Sequence, residues 1–100
     1  MTEKARIYVP DDKERSNEVI EKTVRRLSLE YGGATVIPDN EGYWYNGERE
    51  LIQDSITMIE TVGDIDESQI RELCSFIRMA LNEDSVMYEI TETNVGYVSD

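Results

Sequence analysis

The chain has 100 residues, an apolar content of 39%, a net charge of −12, one cysteine and no histidine. This length predicts one domain over residues 1–100 with one modest core, and the apolar content is that of a folded chain. One cysteine excludes an internal disulfide. Without histidine no Ser-His or Cys-His nucleophile can be built, and the commonest transition-metal ligand is missing. We therefore expect a non-enzyme with no catalytic residue, metal or cofactor.

The first predicted element is a strand over residues 5–9, ARIYV, where β-branched and polar residues alternate. Pro10 ends it, because proline cannot donate to a strand ladder. This apolar stretch is too short for a signal peptide, and no run approaches the roughly 20 apolar residues that span a bilayer. We therefore expect a cytoplasmic protein with no membrane contact.

A helix follows, with apolar residues at helical spacing: Ile20, Val24, Leu27 and Tyr31. Asp11 and Glu14 have capping-box spacing, although Asn17 could cap a shorter helix. Gly32-Gly33 should end it, since glycine adopts the left-handed cap without strain. Its basic residues Lys22, Arg25 and Arg26 lie near acids at helical spacing, which favours an ion-paired face over an anion site.

Residues 34–62 predict a long hairpin. Residues 34–37 form a strand, residues 38–42 a turn or bulge, and residues 43–45 continue the extended chain. Asn46-Gly47 predicts a type I′ turn, which needs positive φ at both positions. Trp44 should point to one face and Tyr43 and Tyr45 to the other. We expect these aromatic side chains to pack against the neighbouring strand, and stacking on a ligand is the alternative.

The returning strand places its apolar residues on even positions: Ile52, Ile56, Met58 and Val62. We expect this face to be buried and the odd-numbered face to be largely exposed to solvent. Asp54 and Glu60 interrupt the pattern, and six residues along a strand separate them by roughly 20 Å, too far to share a metal ion. We expect both to be solvated beyond the edge of the helical layer.

A second helix has an apolar stripe of near-ideal spacing: Ile70, Leu73, Cys74, Ile77, Ala80 and Leu81. Asp66 and Gln69 predict a capping box at its start, and Asn82 a C-cap. A last strand follows over residues 85–91. The order β-α-β-β-α-β predicts a ferredoxin-like α+β fold, with two helices on one face of a four-stranded antiparallel sheet.

The segments GGATVIPDNEGYW, NGERELIQDS and NEDSVMYEI resemble a family of small uncharacterised bacterial ferredoxin-like proteins. The resemblance covers about residues 33–90. Its matching positions are Gly33, Thr35, Val36, Gly42, Trp44, Asp54, Ser55, Asp84, Ser85 and Val86. It implies the ferredoxin-like fold and no particular activity. By size and charge alone, the chain is also similar to acidic inhibitor proteins of the phage type.

The charge is unevenly placed, because residues 1–33 carry seven acids and seven bases whereas residues 34–100 carry fifteen acids and three arginines. Such a surface repels nucleic acid and attracts basic proteins. Our first functional hypothesis is an acidic inhibitor, of the DNA-mimic or anti-CRISPR type, that occupies the basic groove of a nucleic-acid-handling protein. The candidate partner-binding residues are Glu41, Tyr43, Tyr45, Glu48, Glu50, Asp54, Glu60, Glu89 and Glu92.

The alternative hypothesis concerns the sheet face that the helices leave open. Such a face can form a homodimer, shelter a small-molecule ligand or act as a scaffold. The residues expected there are Arg6, Tyr8, Thr35, Thr57, Ile59, Met87 and Glu89. An apolar open face with scattered acids would favour this alternative, and a stripe of acids on one face would favour the inhibitor.

Overall fold

The structure, a computed structural model, describes residues 2–99. Its elements are β1 (Glu3–Pro10), α1 (Ser16–Tyr31), β2 (Thr35–Tyr45), β3 (Leu51–Gly63), α2 (Glu67–Ala80) and β4 (Tyr88–Glu92). The strands form one antiparallel sheet in the order β2-β3-β1-β4. The predicted ferredoxin-like fold is confirmed. Among residues 2–99, no helix is both long and apolar enough to cross a membrane.

The core lies between the sheet and the helical layer. Ala5, Ile7 and Val9 alternate along β1 and point toward the helices, and all three are at most 1% exposed. The other core residues are Val19, Leu27, Ile59, Ile70, Leu73, Cys74, Ile77 and Leu81. Both helices therefore cover the face defined by the odd-numbered residues of β1. We call the opposite, helix-free face the open face.

Helix α1 starts later than the capping-box prediction. Its N-cap is Arg15, which makes no capping bond through its side chain, so neither Asp11 nor Asn17 caps it. Instead the buried Ser16 hydroxyl donates to the Pro10 carbonyl and accepts from the Lys13 amide. This local hydrogen bonding settles the helix start, as serine does at turns. At the other end Gly32 adopts a left-handed conformation, as predicted.

Helix α2 starts as expected at Asp66, whose carboxylate accepts from the Ser68 amide. The predicted reciprocal partner is absent from this cap, since Gln69 instead accepts from the Tyr31 hydroxyl of α1. The Ser68 contacts lower the pKa of Asp66. Asn82 follows the helix with φ of 54°, a left-handed value that asparagine tolerates.

The two faces of β3 are the reverse of our prediction. Thr57, Ile59 and Thr61 are buried under the helices, and the even-numbered residues lie on the open face. Burial of the threonines is possible because each hydroxyl has an acceptor: Thr57 donates to Asp11 at 2.7 Å and Thr61 to the Gly33 carbonyl at 2.7 Å. Thr57 and Ile59 therefore do not line the open face.

The hairpin loop also differs from the predicted type I′ turn. Positive φ occurs at Arg49, at 60°, and not at Asn46 or Gly47. The Asn46 side-chain oxygen accepts from the Glu48 and Glu50 amides, and the Asn46 amide donates to the Glu50 carbonyl. Asparagine thus organises a longer loop over residues 46–50 through its own side chain.

Strands β2 and β3 continue beyond the rest of the sheet. Strand β1 ends at Pro10, which pairs with Ile56, so residues 51–55 of β3 pair only with β2. A bulge in β2 between Ile37 and Asn40 precedes this region, where Asp39 has φ of 65°. We call the two-stranded extension, residues 40–55, the arm. It makes the molecule elongated, with extents of 53 × 26 × 23 Å.

The central position of Ile77 gives a stability prediction. Ile77 is fully buried on α2, so Ile77→Ala should lower the free energy of unfolding by about 2–5 kcal/mol through lost burial and a residual cavity. Met79, on the same helix, is 72% exposed, and Met79→Ala should change it by less than about 0.5 kcal/mol. Urea denaturation measures both. Equal midpoints would contradict this core.

Two glycines should respond oppositely to alanine. Gly32 has φ of 92°, so Gly32→Ala should destabilise the fold by more than about 1 kcal/mol. Gly47 has negative-φ geometry and no atom within 4 Å of an added Cβ, so Gly47→Ala should be neutral or stabilising by up to about 1 kcal/mol. Thermal unfolding of both variants checks the pair. A clear loss of stability in Gly47→Ala would instead support the type I′ turn predicted from the sequence.

Candidate interaction surface

A network of charged side chains occupies the middle of the open face. Arg6, on the central strand β1, lies between its cross-strand partners Glu60 of β3 and Glu89 of β4. Its guanidinium donates to Glu60 and contacts Glu89 Oε1 at 3.3 Å. The Tyr8 hydroxyl donates to the same Glu89 oxygen at 2.7 Å. Tyr8 and then Glu60 raise the pKa of Arg6.

Glu60 is the least exposed acid of this network, at 9%. Besides Arg6, Lys4 lies 3.9 Å from its carboxylate. The expectation that Glu60 is solvated was wrong, because the network on the sheet surface covers it. A carboxylate so removed from water needs such partners. The network is balanced in charge, with two bases and two acids.

Apolar side chains surround the network on the open face. They are only partly buried: Ile37, Ile56, Met58 and Val62. The same face continues onto the arm, where Ile52 lies opposite Trp44. Trp44 is 49% exposed and its indole N–H donates to Asp54 Oδ2 at 2.8 Å. A mixed apolar and charge-balanced surface thus extends from the sheet centre to the arm.

The other face of the arm carries exposed aromatic side chains. The register places Tyr43 opposite Gln53 and Tyr45 opposite Leu51, away from Trp44. Tyr45 is 70% and Leu51 58% exposed, so within residues 2–99 the helices leave this face of the arm uncovered. The Tyr43 hydroxyl donates to Glu41 at 2.9 Å, and this bond raises the pKa of Tyr43.

The structure distributes the predicted partner-binding residues over several surfaces. Glu60 and Glu89 meet at Arg6, whereas Asp54 lies on the open side of the arm and Glu41 with both tyrosines on its other side. Glu48 and Glu50 lie in the loop at the tip, and Glu92 ends β4 opposite Glu3. They do not form one stripe.

Sequence reasoning missed several residues of the open face: Lys4, Ile37, Ile56, Met58 and Val62. The signal that could have found the network was register. Once β1 is central, Arg6 must lie opposite one residue of β3 and one of β4, and both are glutamates. Ile56, Met58 and Val62 were missed because the even-numbered face of their strand was expected to be buried in the core.

Two cavities border this surface. One of about 220 Å³ is lined by Lys4, Arg6, Glu89 and Thr91. A cleft of about 570 Å³ lies beside the end of α1, where Tyr31 already donates to Gln69 and accepts from the Asp66 amide. Within residues 2–99, no three His, Cys, Asp or Glu side chains lie close enough to hold a metal ion.

Comparison with known proteins gives likeness in structure alone. No family model and no curated protein matches the chain. Among solved structures, it is similar to the divalent cation tolerance protein CutA1 from Thermus thermophilus, with a TM-score of 0.66 and 15% identity over 97% of this chain and 88% of that one. CutA1 from Oryza sativa gives 0.65 and 14%, over 96% and 83%. CutA1 from Ehrlichia chaffeensis gives 0.59 and 11%, over 95% and 84%.

These findings confirm a ferredoxin-like fold and overturn the inhibitor hypothesis. The similar structures are CutA1 proteins, and none of the three is a phage inhibitor or a DNA mimic. The geometry agrees, since a DNA mimic needs free carboxylates where phosphates would lie. Glu60, Glu89 and Asp54 instead have internal donors. The expected partner, a basic nucleic-acid-binding protein, receives no support.

The charged network predicts a specific pattern of stability effects. Arg6→Met removes the closest base from the nearly buried Glu60 and leaves it Lys4 at 3.9 Å, so the melting temperature should fall clearly. The double variant Arg6→Met/Glu60→Met should regain most of that loss, because no unpaired carboxylate remains. Arg25→Met, which breaks an exposed ion pair with Glu21, is the control and should change the melting temperature little. Additive losses in the double variant would contradict the network.

Proposed function

We propose that this protein is a non-enzymatic assembly domain whose copies associate through the open face and the arm into a homo-oligomer. The two-stranded arm carries the proposal. A hairpin without a third strand is only marginally stable in water, and exposed aromatic patches mark interaction sites. Trp44, Tyr45 and Leu51 are each about half or more exposed on it. Contact with a second copy would cover them.

The charge distribution favours the open face as the contact. Copies that each carry −12 repel one another, and repulsion is least where charges are balanced locally. On the open face Lys4 and Arg6 offset Glu60 and Glu89. The half-buried apolar residues around them would supply the burial that drives association. This local balance makes the open face suited to contact with another copy.

A small-molecule site within one copy is the weaker form of the alternative. The cavity beside Arg6, at about 220 Å³, is below the roughly 300–1,000 Å³ of ligand pockets. The larger cleft beside α1 offers few free polar groups, since the Tyr31 and Thr61 hydroxyls both have internal partners. This shortage of free convergent groups favours the scaffold form of the proposal over a ligand-binding one.

The mass in solution tests the proposal. Light scattering behind size exclusion should give a multiple of the 11.5 kDa chain mass. Met58→Lys places a charge among the apolar residues of the open face and should shift the protein toward monomer. Met79→Lys adds the same charge at an exposed position on α2 and should leave the mass unchanged.

Circular dichroism should show that both methionine variants remain folded. A monomeric mass for the unmodified chain at all protein concentrations would overturn the proposal. So would equal effects of the two variants, because the contact would then not involve the open face.

A further inference from the structure

A groove lies between α1 and α2 on the side of the molecule opposite the open face. Its α1 wall is Lys22, Arg25, Arg26 and Leu29, spaced i, i+3, i+4 and i+7 along one helical face. Its α2 wall is Glu72, Leu73 and Phe76. The groove has a volume of about 480 Å³, within the range of sites that bind drug-sized groups.

The groove has an apolar interior that the fold leaves uncovered. Leu73 forms a buried floor, whereas Phe76 is 37% exposed and Leu29 is 84% exposed. A leucine this exposed contributes little to the stability of its own fold. Two apolar side chains that face one groove from separate helices provide anchor points for an apolar partner.

The rim of the groove carries three bases whose acidic partners are not among the residues that line it. Lys22, Arg25 and Arg26 pair with Glu18, Glu21 and Glu30, but these pairs are exposed and hold their bases weakly. Glu18 also accepts from Arg15, so Lys22 can leave it without stranding the carboxylate. The Lys22 ammonium already lies 6.0 Å from the centre of the Phe76 ring, over the groove.

We propose that this groove binds an amphipathic helix of another protein, with its apolar face on Leu29 and Phe76 and an acidic flank along the basic rim of α1. In helix-in-groove binding an amphipathic helix lays its apolar face into an apolar groove, and Leu29, Leu73 and Phe76 give this groove that character. Complementary charge fixes the orientation, because three bases line the α1 side and, within residues 2–99, the one acid lining the groove is Glu72 on the α2 side. Nucleic acid suits the groove less, since the whole chain carries −12.

Two synthetic helical peptides of about 18 residues test this inference. Both carry the same leucine and phenylalanine face, and one has glutamates and the other lysines along the flank. Titration into ¹⁵N-labelled protein should give shifts centred on residues 22–29 and 72–76 with the glutamate peptide. The lysine peptide should bind at least about tenfold more weakly, and rising salt should narrow that difference.

Variants of the groove complete the test. Leu29→Ser should weaken binding of the glutamate peptide at least about tenfold, because it removes an apolar anchor. The variant should remain as stable as the unmodified protein, because this side chain is exposed. Lys22→Glu/Arg25→Glu should remove the preference for the acidic flank. Arg78→Glu reverses an exposed charge on α2 outside the groove and should have no effect.

Several results would overturn the inference: equal affinity for both peptides, shifts confined to the open face, or unchanged binding in Leu29→Ser. Tighter binding of a single-stranded oligonucleotide than of the glutamate peptide would assign the rim to nucleic acid instead. The groove lies opposite the open face, so these results are independent of whether the copies assemble.

Discussion

Strand β3 is longer than the strand beside it, and this difference in length shapes the rest of the molecule. β3 has 13 residues and β1 has 8. Proline at the end of β1 offers no amide for a further ladder bond, and after Asp11 donates to Ser55 the chain turns away. The arm therefore has two strands, and the helices leave it uncovered. The elongated shape, the exposed aromatics and the proposed self-association all follow from this mismatch.

The order of elements could be predicted because each helix and strand has a clear period, but the orientation of β3 could not. Isoleucine and methionine on its even positions outweigh the threonines on its odd positions in any hydrophobicity count. Thr57 and Thr61 are nevertheless buried, because each hydroxyl donates a hydrogen bond to a residue far away in the chain. Asp11 accepts from Thr57, 46 residues away, and the Gly33 carbonyl accepts from Thr61, 28 residues away. Partners so distant in the chain are invisible until the topology is known. The same applies to Ser16, whose bond to Pro10 replaces the expected helix cap.

The candidate surface was only partly predictable for a related reason. Arg6, Tyr8 and Glu89 were expected on the open face from alternation alone, and the structure places them there. The pairing of Arg6 with Glu60 required the register of two strands 54 residues apart. Counting acids over the second part of the chain suggested an acidic binding surface, but it did not show which carboxylates have donors within the fold. Net charge thus describes long-range repulsion between copies better than it locates a site.

The place of β1 in the sheet has a consequence for the order in which the molecule folds. β2 and β3 are joined by a short loop, so their hairpin can form within microseconds of the segment becoming free. β1 pairs with β4, where Glu3 lies opposite Glu92, and closing that pair requires nearly the whole chain. During synthesis the first strand therefore waits with one edge open until the last strand leaves the ribosome. The arm can form early because its contacts are local, but with two strands alone it is only marginally stable, and it is exposed throughout that interval.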